Sequence, residues 1–425
     1  MLKKLFLCML LLSPFCSFPA IAAEADNPKI SVMHYFADEL GRTGMEKILS
    51  RFTEEKPVEV VEKPVGHEDF KATILHLAAE GEVPDVVSYW AGARTEFLVD
   101  SKALAPLNRL WQEKQYRSLL LPALAKSAVY YSGQPYLIPF GCHVVGIFYN
   151  PKLFAQAGIE EVPQTWQEFL AVCQKLSAEG IRPLALGAKN RWPAQFWFDY
   201  LLLRTAGTDF RQQLMVGAQS YRSPQVAKAM QLWSELLQKD FFISGSSAND
   251  WNDAADMVAY GHAAMTLMGT WITGYWQRKG LMPEADYDFF PFPEVEPQPG
   301  TALLGAVDGF VVGAKSDNRA EAEELIDFLF RDLEVQKNWV LAQGTISPNL
   351  RVSKEIYDPV MQKVLTEFER AEAYVFNYDL ATPPPVAEIG LSMFARFLRQ
   401  PQNYRAELEA VSDMAAAMHA YEISE

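Results

Sequence analysis

Cysteine is scarce in this chain, basic residues are outnumbered, and no long apolar run occurs beyond the N-terminal segment. Four cysteines stand among 425 residues, and two of them, Cys8 and Cys16, belong to that first segment. So few exclude a disulfide framework. Cys142 and Cys173 are either one bridge in an oxidising compartment or two buried thiols, and their spacing leaves both open. Lysine and arginine total 38 against 53 acidic residues, a formal net charge of −15. A surface of this sign disfavours nucleic acid or an anionic membrane as partner. Six histidines are scattered without zinc-ligand spacing. Neither Gly-x-Ser-x-Gly nor His-Glu-x-x-His occurs, so two hydrolase classes lack their motif. No later apolar run is long enough to span a bilayer.

What is present begins with an export signal. Lys3 and Lys4 precede the apolar run Leu5 to Leu12, and Pro19-Ala20-Ile21-Ala22-Ala23 supplies small residues for cleavage after Ala22 or Ala23. Residues 1–23 are therefore expected to be a secretory signal, too short for a membrane anchor. Phe15 beside Cys16 does not fit a lipidation box, which points to a soluble periplasmic protein. Losing Lys3 and Lys4 with no acid takes the net charge from −15 to −17. The roughly 400 residues that remain exceed what one core usually supports, so two lobes are expected.

Strands alternate with helices along the chain. Ile30 to Tyr35 reads as a strand, and Met45, Ile48, Leu49 and Phe52 then mark one helix face. Val58 to Val61 is a second strand, followed by a helix bearing Phe70, Ile74 and Leu77, and Asp85-Val86-Val87 a third. This pattern predicts an α/β fold with parallel sheets. Thr165 with Glu168, and Asn318 with Glu321, read as capping boxes that open helices. From Tyr357 onward the chain reads as helical, with Thr382-Pro383-Pro384-Pro385 as a loop. Ligands of open α/β sheets bind beyond the carboxyl ends of strands. That rule places Glu39, Trp90 and Arg94 near a cleft.

Several segments, in this order and behind an export signal, resemble those of a known family. They are Pro84-Asp85-Val86-Val87 with Trp90, Pro135 to Phe140, Phe148-Tyr149-Asn150 leading into Lys152-Leu153-Phe154, Ala157-Gly158-Ile159, Pro163 to Phe169, and Gly261 to Trp271. The chain resembles the family 1 extracellular solute-binding proteins, which include maltose-binding and other sugar-binding proteins of ABC importers. The resemblance implies a two-lobed periplasmic-binding fold of type II with the ligand cleft between lobes. It places crossings near Phe140 to Val144, Phe290 to Pro293 and Ser347-Pro348. The N-terminal lobe is then 24–141 with 294–346, and the C-terminal lobe 142–293 with 347–425. It further implies a periplasmic, monomeric binding protein without enzymatic activity, cofactor or metal, which hands a carbohydrate to permease subunits in the inner membrane.

Sugars present an apolar C–H face and a hydroxyl-rich edge, so aromatic rings and polar groups are the residues to seek. Trp166 and Trp233 read as helix-packing residues. Trp271 ends an apolar run in which Gly269 lets a ligand approach the backbone, and in the family this tryptophan stacks on the sugar. Trp90 leaves a strand end; maltose-binding relatives follow it with Asp-Arg, whereas Ala93-Arg94 stands here, which speaks against a maltodextrin. His143 occupies a place where those relatives carry a ligand-bonding glutamate. Glu39 matches an acidic ligand position, and Asp308 lies between glycines. Trp192 and Asn377 complete the candidate set. His67 and Asp69 either reach the cleft or cap the helix that follows.

Two rivals stay in view. A secreted glycoside hydrolase needs only two carboxylates, which are distant in sequence in many such enzymes. A ferric-ion binder of similar shape would use adjacent tyrosines, and Tyr130-Tyr131 are adjacent, although Ser132-Gly133 after them reads as a hairpin turn. A glycoside, a small oligosaccharide or an acidic sugar derivative each fit a site with aromatics, an arginine and a histidine.

Overall fold

In the computed structural model, which describes residues 27–297 and 301–424, the apolar alternation of the first strand becomes β1 (Lys29–His34), with Ile30 and Val32 fully buried. The secretory signal expected over residues 1–23 lies outside the described residues. Asp38 caps the following helix, α1 (Glu39–Glu55), by accepting from the Gly41 amide, and Met45, Ile48, Leu49 and Phe52 form its buried face. Next come β2 (Glu59–Pro64), α2 (His67–Glu80), β3 (Val86–Trp90) and α3 (Ala93–Asp100). Both β2 and β3 lie parallel to β1, as strand–helix–strand units require.

The centre of the sheet is antiparallel, which the alternating pattern did not reveal. The remaining strands are β4 (Leu104–Ala105), β5 (Tyr130–Tyr131), β6 (Gln134–Pro135), β7 (Ile138–Tyr149), β8 (Leu184–Ala185), β9 (Met265–Gly269), β10 (Asp288–Phe290), β11 (Ala302–Gly313) and β12 (Ala373–Phe376). One ten-stranded sheet runs β2-β1-β3-β11-β7-β9-β8, with β4 and β12 also on β11 and β10 on β7. β7 and β11 are buried at every residue, consistent with strands covered on both faces. They pair antiparallel, and the register slips at Asp308/Gly309, where Phe140 has no opposite residue. Such a bulge re-aims side chains, and Asp308 stands at it.

Local expectations fare unevenly. Thr165 and Glu168 form the capping box of the Trp166–Ala178 helix. Asn318 does not cap with its side chain, which instead donates to the Lys29 carbonyl of β1. The triple proline is a helix start rather than a loop: Pro384 and Pro385 occupy the first turn of Pro384–Arg399, where a missing N–H has no cost. A strand, β12, interrupts the stretch read as helical. Tyr130 and Tyr131 pair with β6 through Ser132 and Gly133, both at positive φ, as a two-residue hairpin turn demands. Tyr130 is exposed and Tyr131 buried, so the two cannot share one metal ion. Cys142 and Cys173 are free and buried, and burial pushes both thiols up. Among the described residues no helix is long and apolar enough to cross a membrane.

Candidate ligand-binding cleft

The carboxyl ends of β1 and β3 lead to one wall of a cleft of about 590 Å³, within the usual range for small-ligand sites. Tyr35 follows β1 directly, and its ring stacks on Trp90 at 4.1 Å and 17°. His67 meets the Trp90 ring edge-on at 5.3 Å. Across the cleft stand Trp192 and Trp271, 5.8 Å apart and tilted by 65°. Each pair offers an apolar surface of the kind a sugar ring covers.

Trp192 is placed by a strained turn. The Trp192 amide donates to the Asn190 carbonyl at 2.7 Å across Arg191, whose φ of 64° and ψ of −42° give a classic γ-turn. Arg191 is tied down by Glu388 at 2.8 Å and Ser392 at 3.0 Å. Trp271 opens the Trp271–Arg278 helix, with Thr270 before it. Gly269 makes room for this tryptophan: a Cβ there would lie 2.0 Å from the Trp271 ring.

The floor consists of β7 and β11, which contribute His143 and Asp308. Tyr35 donates to Asp308 Oδ1 at 2.6 Å, and His143 Nε2 lies 3.1 Å from Asp308 Oδ2. With Nε2–H donating, His143 Nδ1 accepts from the Thr270 hydroxyl at 2.9 Å. Burial and the Asp308 carboxylate raise the Tyr35 pKa well above its ordinary value, so the phenol remains a donor. Asp308 is thereby held rigid, with its remaining lone pairs available only to a donor. Tyr374 clamps the floor, its one hydroxyl hydrogen facing the carbonyls of both His143 at 2.7 Å and Ala306 at 2.9 Å.

Asn377 and Asp379 are positioned by the Gln195–Met215 helix. Asp199 accepts from the Tyr378 amide at 2.8 Å, and Gln195 donates to Asp379 Oδ1 at 2.8 Å. Arg211 reaches back across the break at Gly207 to bond Asp199 at 2.6 Å and the Phe376 carbonyl at 2.7 Å.

Polar contacts join the walls besides the one between Arg94 and Asp379. Trp192 Nε1 donates to Glu68 at 3.1 Å, and Arg278 lies 3.6 Å from Asp38. Partial burial pushes the Glu68 carboxyl up, but its hydrogen bond with His67 and the Lys71 ammonium outweigh this and hold it at about 2. Glu68 therefore keeps its charge, and with it this bond, until the pH falls toward that value.

Six sequence candidates line the cleft: Trp90, His143, Trp192, Trp271, Asp308 and Asn377. Two do not. Glu39 is exposed on α1 and turned away, because one helical residue rotates the side chain by about 100°; its neighbour Asp38 lines the wall instead. Arg94, 2% exposed, lies behind Trp90, its guanidinium 5.8 Å from that ring and its Nε donating to the Asp379 carbonyl at 3.1 Å. His67 and Asp69 both reach the cleft. Sequence reasoning missed Tyr35, Glu68, Gln195, Trp251 and Asp379. Only Tyr35 and Trp251 carried a signal, one at a strand end and the other just after the capping residue Asp250. Among the described residues no group of three or more His, Cys, Asp or Glu could hold a metal ion.

The model of the family described as bacterial extracellular solute-binding protein matches residues 37–332, well over half of the chain. A Pyrococcus horikoshii protein described as an uncharacterized ABC transporter extracellular-binding protein is 26% identical over 92% of this chain and 85% of its own. A probable sugar-binding periplasmic protein of Mesorhizobium japonicum is 24% identical over 98% of this chain and 99% of its own. The crystal structure of the solute receptor AcbH, described as exclusive for β-D-galactopyranose, superposes with a TM-score of 0.84 at 24% identity. It covers 92% of this chain and 100% of that one. That likeness shows a two-lobed binding-protein fold. The chain belongs to the family of bacterial extracellular solute-binding proteins.

Proposed function

We propose that this protein captures a carbohydrate in the cleft by closure of its two lobes, and delivers it to the permease subunits of an ABC importer. One observation carries the reading: paired aromatic faces stand on opposite walls over a rigid acceptor, Asp308, and a row of amides and carboxylates. Ring faces suit C–H surfaces and the polar row suits hydroxyl edges. The descriptions of the Mesorhizobium relative and of the galactopyranose receptor support the same class. The protein works in the periplasm, as a monomer and without catalysing a reaction.

One lobe is the chain up to residue 141 with 306–346, and the other is 142–305 with the chain from 347. A crossing at 140–144 is supported by β7, which leaves β11 after Val144 and pairs with β9 from Val145. The bridge of Cys142 to Ile346 brings the third crossing alongside it. β11 changes partner from β12 at Gly305 to β3 at Asp308, which supports a second crossing in that stretch in place of the expected 290–293. Closure is favoured by ligand because only the closed form touches it on both sides.

A thermal-shift screen of the mature protein tests the reading. A carbohydrate at a hundred times its dissociation constant should add about 2.7 kcal/mol of stability. A shift with metal ions alone, or product release from a chromogenic glycoside, would sink it. Trp192→Phe should keep the ring and lose the bond to Glu68. The expected result is roughly fivefold weaker affinity, near 1 kcal/mol for one hydrogen bond, with a more open unliganded form by small-angle scattering. An unchanged scattering profile would deny that bond a role in closure.

A further inference from the structure

Resting on the carbohydrate reading, we infer that the cleft selects by charge: it takes sugars without an acidic group and favours those bearing a protonated amine. Among the described residues six carboxylates line the cleft, against Lys71 as its one lysine or arginine. Four of the six are already answered. Arg278 lies 3.6 Å from Asp38, Lys71 itself 3.3 Å from Glu68, Lys189 2.9 Å from Asp250, and Arg94 3.8 Å from Asp379. Lys71 is thus spent on its helix neighbour, and Arg94 is sealed behind Trp90.

Two carboxylates remain. Asp69 is exposed on the cleft wall and has no ion-pair partner among the described residues. Asp308, 7% exposed, is bonded among the described residues by the side chains of Tyr35 and His143 alone. Among the described residues no lysine or arginine pairs with Asp308.

A third group asks for a donor independently of charge. Asn377 lines the cleft at 5% exposure, and its Oδ1 is buried without a hydrogen-bond partner. Its backbone amide is fixed to the Gly305 carbonyl at 3.0 Å, so the side chain cannot drift far from the floor. A buried acceptor left unmatched is costly, and a ligand donor removes that cost. An ammonium group is donor-only and positive, which matches all three groups. A sugar carboxylate is acceptor-only and negative; it would meet like charge and find no free guanidinium for a bidentate pair. The acidic derivatives that Arg94 made plausible from sequence are thus the class this geometry rejects.

Calorimetric titration of the mature chain with matched sets is the test: glucose, glucosamine and glucuronate; the galacto counterparts; and cellobiose beside its amine-bearing and uronate-bearing analogues. Within each set the amine is expected to bind at least about tenfold tighter than the neutral sugar, and the uronate at least about tenfold weaker. Both ratios should shrink at high salt. Asp69→Asn should narrow the amine-over-neutral ratio. A uronate binding as tightly as its neutral counterpart, or equal affinities throughout a set, overturns the charge selection while the carbohydrate reading stands. No binding by any sugar overturns both.

Discussion

Trp271→Ala is expected to weaken carbohydrate binding by about a hundredfold while leaving the unliganded fold in place. Trp271 is half-buried at the first position of its helix, where alanine is well tolerated. Its ring is boxed by the Trp192 ring at 5.8 Å and the His143 ring at 5.2 Å, and its own chain leaves space for it at Gly269. Rotation is therefore restricted before any ligand arrives, and little ordering cost falls on binding. Central aromatic anchors of this type carry 2 kcal/mol or more, and about 2.7 kcal/mol corresponds to the stated hundredfold. Calorimetric titration with the most stabilising sugar checks affinity, and thermal unfolding without sugar checks the fold. Trp271→Phe, which retains a ring face, should recover part of the loss. An alanine variant within threefold of the parent would remove Trp271 from the site.

Arg211→Leu should destabilise the protein by roughly 3–5 kcal/mol, because it strips the buried Asp199, whose carboxyl burial already pushes up to about 6 despite Arg211, of its counter-ion. Both side chains are essentially inaccessible, and the pair bridges the Gly207 break, where φ is 79° and ψ 173°. Without Arg211 the two halves of that helix lose their tie. The Phe376 carbonyl loses a donor, and Asn377 and Asp379 lose part of their anchorage. Sugar affinity should therefore fall together with stability, although Arg211 touches no ligand. The double variant Asp199→Asn with Arg211→Leu should regain much of the stability, since no buried carboxyl is then left without its cation. Urea unfolding of the three proteins measures this. A single variant less than about 1 kcal/mol below the parent would mean that water reaches Asp199.

The candidate site was legible wherever one local rule decided a residue's place. Trp90 leaves a strand at its carboxyl end, and Trp271 follows one; both positions face the crevice of an open α/β sheet. Glu39 and Arg94 illustrate the limit of that rule. Each sits within a turn of a strand end, yet the helix that begins there decides which way it points. One residue of rotation separates Asp38, on the wall, from Glu39 in solvent. The prolines misled for a related reason, since the same residue that ends a helix also opens one at its first turn.

By itself the sequence determined the alternation of strands and helices, the apolar faces of α1 and α2, the Thr165 cap and the hairpin at Ser132-Gly133. All of these rest on neighbours within a few positions, where backbone preference and side-chain periodicity act directly. The tertiary structure alone decided the antiparallel centre of the sheet, the retreat of Arg94 behind Trp90, and the chain of bonds from Tyr35 through Asp308 and His143 to Thr270. Those four residues come from separate segments. They meet because β7 and β11 bury completely and, in pairing, carry His143 and Asp308 to the same floor between two walls.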